Sequence, residues 1–85
     1  MTEQQIQSNR IKELEGEGYY VIKLVKTNKN GIPDIVAIPK NADVLFIEVK
    51  TPKGKVSKLQ SYRLKELEKH GLKTEVYRGG SKDPL

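Results

Sequence analysis

Several residue types are missing or scarce in this chain of 85 residues, and each absence excludes a class of protein. There is no cysteine, which excludes a disulfide framework and a thiolate zinc site. The single histidine, His70, excludes a metal site built from several histidines. No apolar run approaches the roughly 20 residues of a membrane span, and the N-terminus lacks a signal-peptide core. We therefore expect a soluble cytoplasmic protein with no membrane partner.

The length of the chain limits the size of its fold, and its net charge indicates the class of partner. The chain is long enough for one small domain, predicted over residues 1–85 with a frayed tail at 79–85. A domain of this size buries only about 60–65% of its unfolded surface, so we expect a homodimer to supply further burial. The net charge of +5 favours an anionic partner such as nucleic acid, although many small domains without such a partner are equally basic.

Two helices are predicted from capping residues and apolar spacing. Thr2 is a candidate N-cap for a helix that runs to about Glu15. Ser57 is a candidate N-cap for a second helix that ends near Lys69. The first helix has a loose apolar face, formed by Ile6, Ile11 and Leu14. The second is expected to have a buried side, formed by Leu59, Tyr62, Leu64 and Leu67.

Four segments rich in β-branched and aromatic residues predict strands. Their predicted bounds are Tyr19–Lys26, Asp34–Ile38, Val44–Lys50 and Lys73–Arg78. The resulting order is α-β-β-β-α-β, and the last strand follows a helical crossover, so it is expected to run parallel to the third. The sequence therefore predicts the α/β class, with a mixed four-stranded sheet flanked by helices.

Two carboxylates and a lysine lie at the ends of the second and third predicted strands. Pairing of these strands brings Asp34 and Glu48 together, and like charges held that close repel unless a cation lies between them. An oxygen-rich site with few protein ligands suits Mg²⁺, which keeps several waters and binds phosphate oxygens. Lys50 lies two residues after Glu48, on the same strand face. These groups together are suited to metal-assisted hydrolysis of a phosphodiester.

Each of these residues also has an ordinary explanation. Asp34 follows Pro33 and suits a turn, and Glu48 and Lys50 suit a solvated strand face with a cross-strand ion pair. The residues before Glu48 are apolar on both faces of the strand, which is typical of a buried central strand and favours a functional role for the charges.

The motifs and their order resemble the PD-(D/E)XK nuclease superfamily, and within it the VRR-NUC family. Gly31-Ile32-Pro33-Asp34-Ile35 is similar to the family's G-x-P-D signature, which ends in an aliphatic residue. Glu48-Val49-Lys50-Thr51-Pro52, followed by Ser57-Lys58-Leu59-Gln60, is similar to the family's E-x-K-x-P segment and its later glutamine. The shared order, with 13 residues between Asp34 and Glu48, makes the resemblance fairly specific.

The resemblance implies a restriction-endonuclease-like αβββαβ core and a set of site residues. It makes Asp34, Glu48 and the carbonyl of Val49 ligands of Mg²⁺, for which Mn²⁺ substitutes. It adds Lys50, Gln60 and Glu3 to the catalytic set, although a glutamine in a first helical turn is usually solvated and the helix dipole alone favours Glu3. It also implies a phage or bacterial endodeoxyribonuclease that acts on branched DNA, as a homodimeric Holliday-junction resolvase does, and not on a small molecule.

Four lysines are candidate DNA contacts outside this catalytic set: Lys29, Lys53, Lys55 and Lys58. They either bind phosphates, which fixes the register of the DNA without reading its sequence, or occupy solvated loops. The sequence favours core or dimer contacts over stacking on DNA bases for three tyrosines, Tyr19, Tyr20 and Tyr62. Two other functions stay open, namely a catalytically silent DNA-binding module and a subunit of a larger nuclease or restriction system.

Overall fold

A computed structural model describes residues 1–79, which form one mixed sheet and two helices. The elements are α1 (Glu3–Gly16), β1 (Tyr20–Lys23), β2 (Ile35–Ile38), β3 (Leu45–Val49), α2 (Lys58–Lys69) and β4 (Lys73–Tyr77). The strands are ordered β1-β2-β3-β4, with β1–β2 and β2–β3 antiparallel and β3–β4 parallel. The predicted element order, mixed sheet and parallel last strand are confirmed.

Both helices begin with a reciprocal capping box. The hydroxyl of Thr2 accepts a hydrogen bond from the backbone N–H of Gln5, and the Gln5 side chain accepts one from the Thr2 N–H. Ser57 and Gln60 repeat the arrangement at α2. Each box satisfies two N–H groups that a helix start otherwise leaves unpaired, so both helices start where the sequence predicts.

The strands are shorter than predicted. β1 ends at Lys23 rather than Lys26, because its last hydrogen bond joins the Leu24 N–H to the Asp34 carbonyl. The residue before Asp34 is Pro33, which has no N–H to continue the ladder. β1 also begins one residue late, at Tyr20 rather than Tyr19. The second and fourth predicted strands lose one residue each, Asp34 and Arg78, and the third loses one at each end, Val44 and Lys50.

The core lies between α1 and one face of the sheet. Its buried side chains are Ile6, Leu14, Ile35, Ala37, Ile47 and Val49, and Tyr19 packs against them. Gly79, the first residue of the tail predicted to fray, is buried against Ile6. The rest of that predicted tail, residues 80–85, lies outside the described residues.

The opposite face of the sheet carries α2 and is less completely covered. Leu59 and Tyr62 are 43% and 56% exposed, so the prediction that they lie on a buried side of α2 is wrong. Tyr20, on the edge strand β1, is 70% exposed and is not a core residue. The apolar residues of α2 recur at helical spacing, but a single helix that packs beside β4 leaves the β1 side of this face open.

Candidate active site

The strand register brings Asp34 to the end of the sheet where Glu48 lies. Ile35 pairs with Ile47 in the antiparallel β2–β3 ladder, so the preceding Asp34 comes opposite Glu48. Oδ2 of Asp34 accepts a hydrogen bond of 2.8 Å from the backbone N–H of Val49. This bond fixes the Asp34 carboxylate against the end of β3 and leaves its other oxygen for a ligand.

The backbone of Val49 faces the same side as Asp34. The N–H of the next residue, Lys50, donates to the carbonyl of Tyr77 on β4, 2.9 Å away. Backbone groups alternate in direction along a strand, and the N–H and C=O of one residue point the same way. Because the Val49 N–H points to Asp34, the Val49 carbonyl lies on the Asp34 side of β3 as well.

Glu48 is a buried carboxylate with two polar partners. It is 2% exposed, and its Oε2 lies 3.6 Å from Nζ of Lys50 and 3.0 Å from Nε2 of Gln60. The pKa of Glu48 is raised to about 7, chiefly by burial and also by the nearby negative charge of Asp34, while Lys50 acts in the opposite direction. The site therefore brings together negative charge that its own residues only partly neutralise.

Gln60 connects the start of α2 to Glu48. Its Oε1 accepts the Ser57 N–H in the capping box at 2.9 Å, so its Nε2 is the atom that faces Glu48. A glutamine amide has one acceptor oxygen and one donor nitrogen, and both are used here. The structure thus places Gln60 as a hydrogen-bond donor to a predicted ligand residue.

The remaining predicted residues make no hydrogen bond or ion pair, within residues 1–79, with the group formed by Asp34, Glu48, Lys50 and Gln60. Glu3, at the start of α1, is exposed and makes the smallest contribution to the raised pKa of Glu48. Within residues 1–79 it has no hydrogen bond to Asp34, Glu48 or Lys50. The predicted DNA contacts are exposed and form no ion pair with the described residues; they are Lys29, Lys53, Lys55 and Lys58.

The donor set fits a hard divalent cation that keeps most of its waters. No cluster of three or more His, Cys, Asp or Glu side chains that could hold a metal occurs in residues 1–79. Two carboxylates and one carbonyl are a small set, and Mg²⁺ is commonly held by one or two carboxylates, waters and substrate phosphates. A cation between Asp34 and Glu48 would also relieve the repulsion that raises the Glu48 pKa.

Two arginines that sequence reasoning missed hold the loops beside the site. Nε of Arg63 donates to the carbonyl of Asn30 at 2.9 Å, which ties the loop before Asp34 to α2. Residues 24–27 and 29–34 line a groove of about 300 Å³ beside this loop. Arg78 contacts carbonyls of the loop after Lys50. No local pattern reveals these roles, because each arginine contacts carbonyls more than 20 residues away in sequence.

Comparison with known families agrees with this geometry. The sequence model of the VRR-NUC domain family matches residues 2–81, nearly the whole chain. The chain belongs to the VRR-NUC family. Domains of this family are nuclease domains, so the chain is a nuclease-type domain of DNA processing and its partner is DNA. The predicted family is confirmed.

A solved structure described as a VRR-NUC domain has the same fold, with a TM-score of 0.84 over 96% of this chain and 90% of that chain. The two sequences are 24% identical, so the likeness supports the architecture and not a particular substrate. A search of curated proteins found no significant match. No helix in the described part of the VRR-NUC chain is long and apolar enough to cross a membrane.

Proposed function

We propose that this VRR-NUC domain is a Mg²⁺-dependent endonuclease that hydrolyses DNA phosphodiester bonds. The observation that carries the proposal is the placement of Asp34 and Glu48 at one end of the sheet, with Nζ of Lys50 3.6 Å from Glu48. A silent DNA-binding domain gains nothing from buried negative charge where phosphates approach. The carboxylate pair therefore favours catalysis over binding alone.

Asp34, Glu48 and the carbonyl of Val49 would hold the cation. When bound, the cation supplies Lewis-acid polarisation of the scissile phosphate and favours formation of a nucleophile from water at neutral pH. The protein holds both carboxylates before the cation arrives, since Asp34 is fixed by the Val49 N–H and Glu48 by Gln60. Preorganised ligands need no rearrangement at the moment of reaction.

Lys50 supplies positive charge at the reacting phosphate. Its side chain is 12% exposed and lies against Glu48, so the ammonium is held near the reacting end of the sheet. An ammonium there orients the attacking water or stabilises the negative charge that develops on the phosphate oxygens. Gln60 keeps Glu48 in place and acts through it, because both of its polar atoms are already hydrogen-bonded.

The favoured substrate is branched DNA, and the favoured active form is a homodimer. The exposed lysines beside the site suit phosphate contacts, which carry no sequence information and leave DNA shape to select the substrate. A symmetric four-way junction needs two nicks, and a C2 dimer supplies two related sites.

Cleavage by site variants tests the proposed activity. Wild-type protein is incubated with junction, flap and linear duplex DNA in Mg²⁺ or Mn²⁺, beside Asp34→Ala and Lys50→Ala. We expect both variants to lose activity by about 100-fold or more, because each removes a group that acts on the reacting phosphate. Strand breaks are resolved on denaturing gels.

The matched control is Lys40→Ala, which removes an exposed lysine at the other end of β2. This variant should retain wild-type activity, because cleavage is proposed to require the positive charge of Lys50 at the site and not the total charge of the protein. Full activity in both site variants contradicts the assignment of the site. Salt-sensitive DNA binding by the wild type without cleavage in either cation supports the silent DNA-binding function instead.

A further inference from the structure

The loop that follows Lys50 is gathered around the side chain of Arg78. Nη1 of Arg78 lies 3.2 Å from the carbonyl oxygen of Thr51 and 3.5 Å from that of Pro52, and it also contacts the carbonyl of Gly54. The loop closes on itself as well, since the Gly54 N–H donates to the Thr51 carbonyl at 3.0 Å. One guanidinium group therefore fixes three of the loop's carbonyls.

This loop lies directly beside the candidate active site. Val49 pairs with Tyr77 in the parallel β3–β4 ladder, so Arg78 leaves β4 next to the point where Lys50 leaves β3. The loop begins one residue after Lys50, and its backbone cannot move far without moving Lys50. A DNA phosphate bound at Lys50 would therefore have this loop beside it, because the loop begins at the next residue.

The two lysines of the loop keep their charge available for such a strand. Lys53 and Lys55 are exposed and have no ion pair with another described residue. Arg78 binds carbonyls of their loop, which are neutral acceptors, and so it orders the backbone without neutralising either lysine. Ordering the backbone before DNA binds lowers the entropy lost when the lysines meet phosphates.

We propose that Arg78 is a positioning residue that holds the loop of residues 51–55 as a phosphate-binding element for the DNA at the site. The inference rests on the proposed function only in requiring DNA at this end of the sheet, and it does not require cleavage. Arg78 acts through Lys53 and Lys55, and its own guanidinium stays with the loop carbonyls. This role differs from direct phosphate binding by Arg78, which would add to the effect of the lysines.

A double-mutant cycle in DNA binding separates these two roles. The variants are Arg78→Ala, the pair Lys53→Ala/Lys55→Ala, and the combination of all three, with Lys40→Ala as a surface control. Binding of a fluorescent four-way junction is measured by anisotropy in Ca²⁺, which prevents turnover, at several salt concentrations. Thermal unfolding of each variant establishes that it is folded at the assay temperature.

We expect Arg78→Ala to weaken binding about tenfold at low salt and to flatten the salt dependence, because the lysine contacts are lost. The lysine pair should reduce the slope of log affinity against log salt by about 2. Adding Arg78→Ala to that pair should change the affinity no further, and Lys40→Ala should resemble wild type. Heteronuclear NOE values of the Lys53 and Gly54 amides should fall in folded Arg78→Ala.

Additive effects of Arg78→Ala and the lysine pair would overturn the inference, as would unchanged NOE values. Failure of the proposed function gives a different result, namely coupled binding effects in Ca²⁺ without strand cleavage in Mg²⁺ or Mn²⁺. Wild-type protein that binds no DNA would overturn both.

Discussion

At the scale of single residues, Glu48 decides the electrostatics of the site. A carboxylate with 2% exposure loses the hydration of its charged form, and Asp34 adds like charge nearby. Lys50 and Gln60 offset only part of this cost. In the absence of a cation the folded protein therefore holds a proton on Glu48 to a higher pH than the unfolded chain does.

The stability of the protein should depend on pH through Glu48, because the pKa of this residue is about 7 in the folded protein and 4.5 ordinarily. The folded state keeps a proton that the unfolded chain releases, so the contribution of Glu48 to the free energy of unfolding falls as pH rises from about 5 to about 8. In EDTA, the free energy of unfolding of Glu48→Gln should rise relative to that of wild type by roughly 1 to 3 kcal/mol as the pH is raised from 5 to 8. Urea unfolding at both pH values measures this difference.

An exposed glutamate provides the control for this measurement. The substitution Glu15→Gln lies on α1, and the free energy of unfolding of this variant should change between the two pH values as that of wild type does. A constant difference between Glu48→Gln and wild type across the pH range would contradict the assignment of the raised pKa to Glu48.

The sequence predicted the charged residues of the site but not their partners. Asp34, Glu48 and Lys50 were predicted from charged residues at the ends of apolar strands together with motifs whose order resembles that of the VRR-NUC family. The bond from Gln60 to Glu48 could not be predicted, because it joins a helix start to a strand end. The hydrogen-bond partners of the capping residues Thr2 and Ser57 are predictable from the sequence, because they lie only three residues away.

At the scale of elements, the loop before Asp34 is fixed against α2 at two points. Arg63 holds the carbonyl of Asn30, and Gly31 lies so close to Leu59 that an added Cβ would come within 2.7 Å of its Cγ. Gly31 also has φ +80°, a conformation that residues with a Cβ rarely adopt. The absence of a side chain at Gly31 lets this loop approach α2 and deliver Asp34 to the site.

Alanine substitutions at two glycines separate conformation from contact. Gly71 has φ +83° but nothing within 4 Å of an added Cβ, so Gly71→Ala introduces backbone strain alone. We expect it to cost about 1 kcal/mol of unfolding free energy, and Gly31→Ala to cost about 1–3 kcal/mol more because Leu59 must move. Urea unfolding of both variants gives the difference. Equal losses would mean that the contact between Gly31 and Leu59 contributes nothing.

At the scale of the whole molecule, the two faces of the sheet are covered unequally. α1 closes one face around fully buried residues, whereas α2 has no fully buried residue. Tyr20 and Ile22, on the edge strand, are 70% and 43% exposed on the less covered face. The exposure of Tyr20 rules out a core role for this residue, and its role as a dimer contact stays a prediction.

The homodimer is tested by mass and by the pattern of nicks. Light scattering coupled to gel filtration should give twice the 9.6 kDa of one chain, and Tyr20→Ser should shift the protein towards the monomer. A dimer should also nick a symmetric junction at two related positions in one binding event. A monomer that cuts linear and branched DNA at equal rates would contradict both the dimer and the junction preference.

The sequence alone determined the element order and the helix starts, because these depend on neighbours only a few positions apart. It also predicted the charged residues of the candidate site, which the β2–β3 register then brings together. The helical crossover before the last strand also predicted that this strand runs parallel to β3. The tertiary structure alone decided that Gln60 bonds to Glu48, that Arg78 gathers the loop after Lys50, and that Tyr20 and Tyr62 stay exposed. These features depend on which distant segments lie next to each other in the folded protein, and the spacing of residues along the sequence does not show which segments these are.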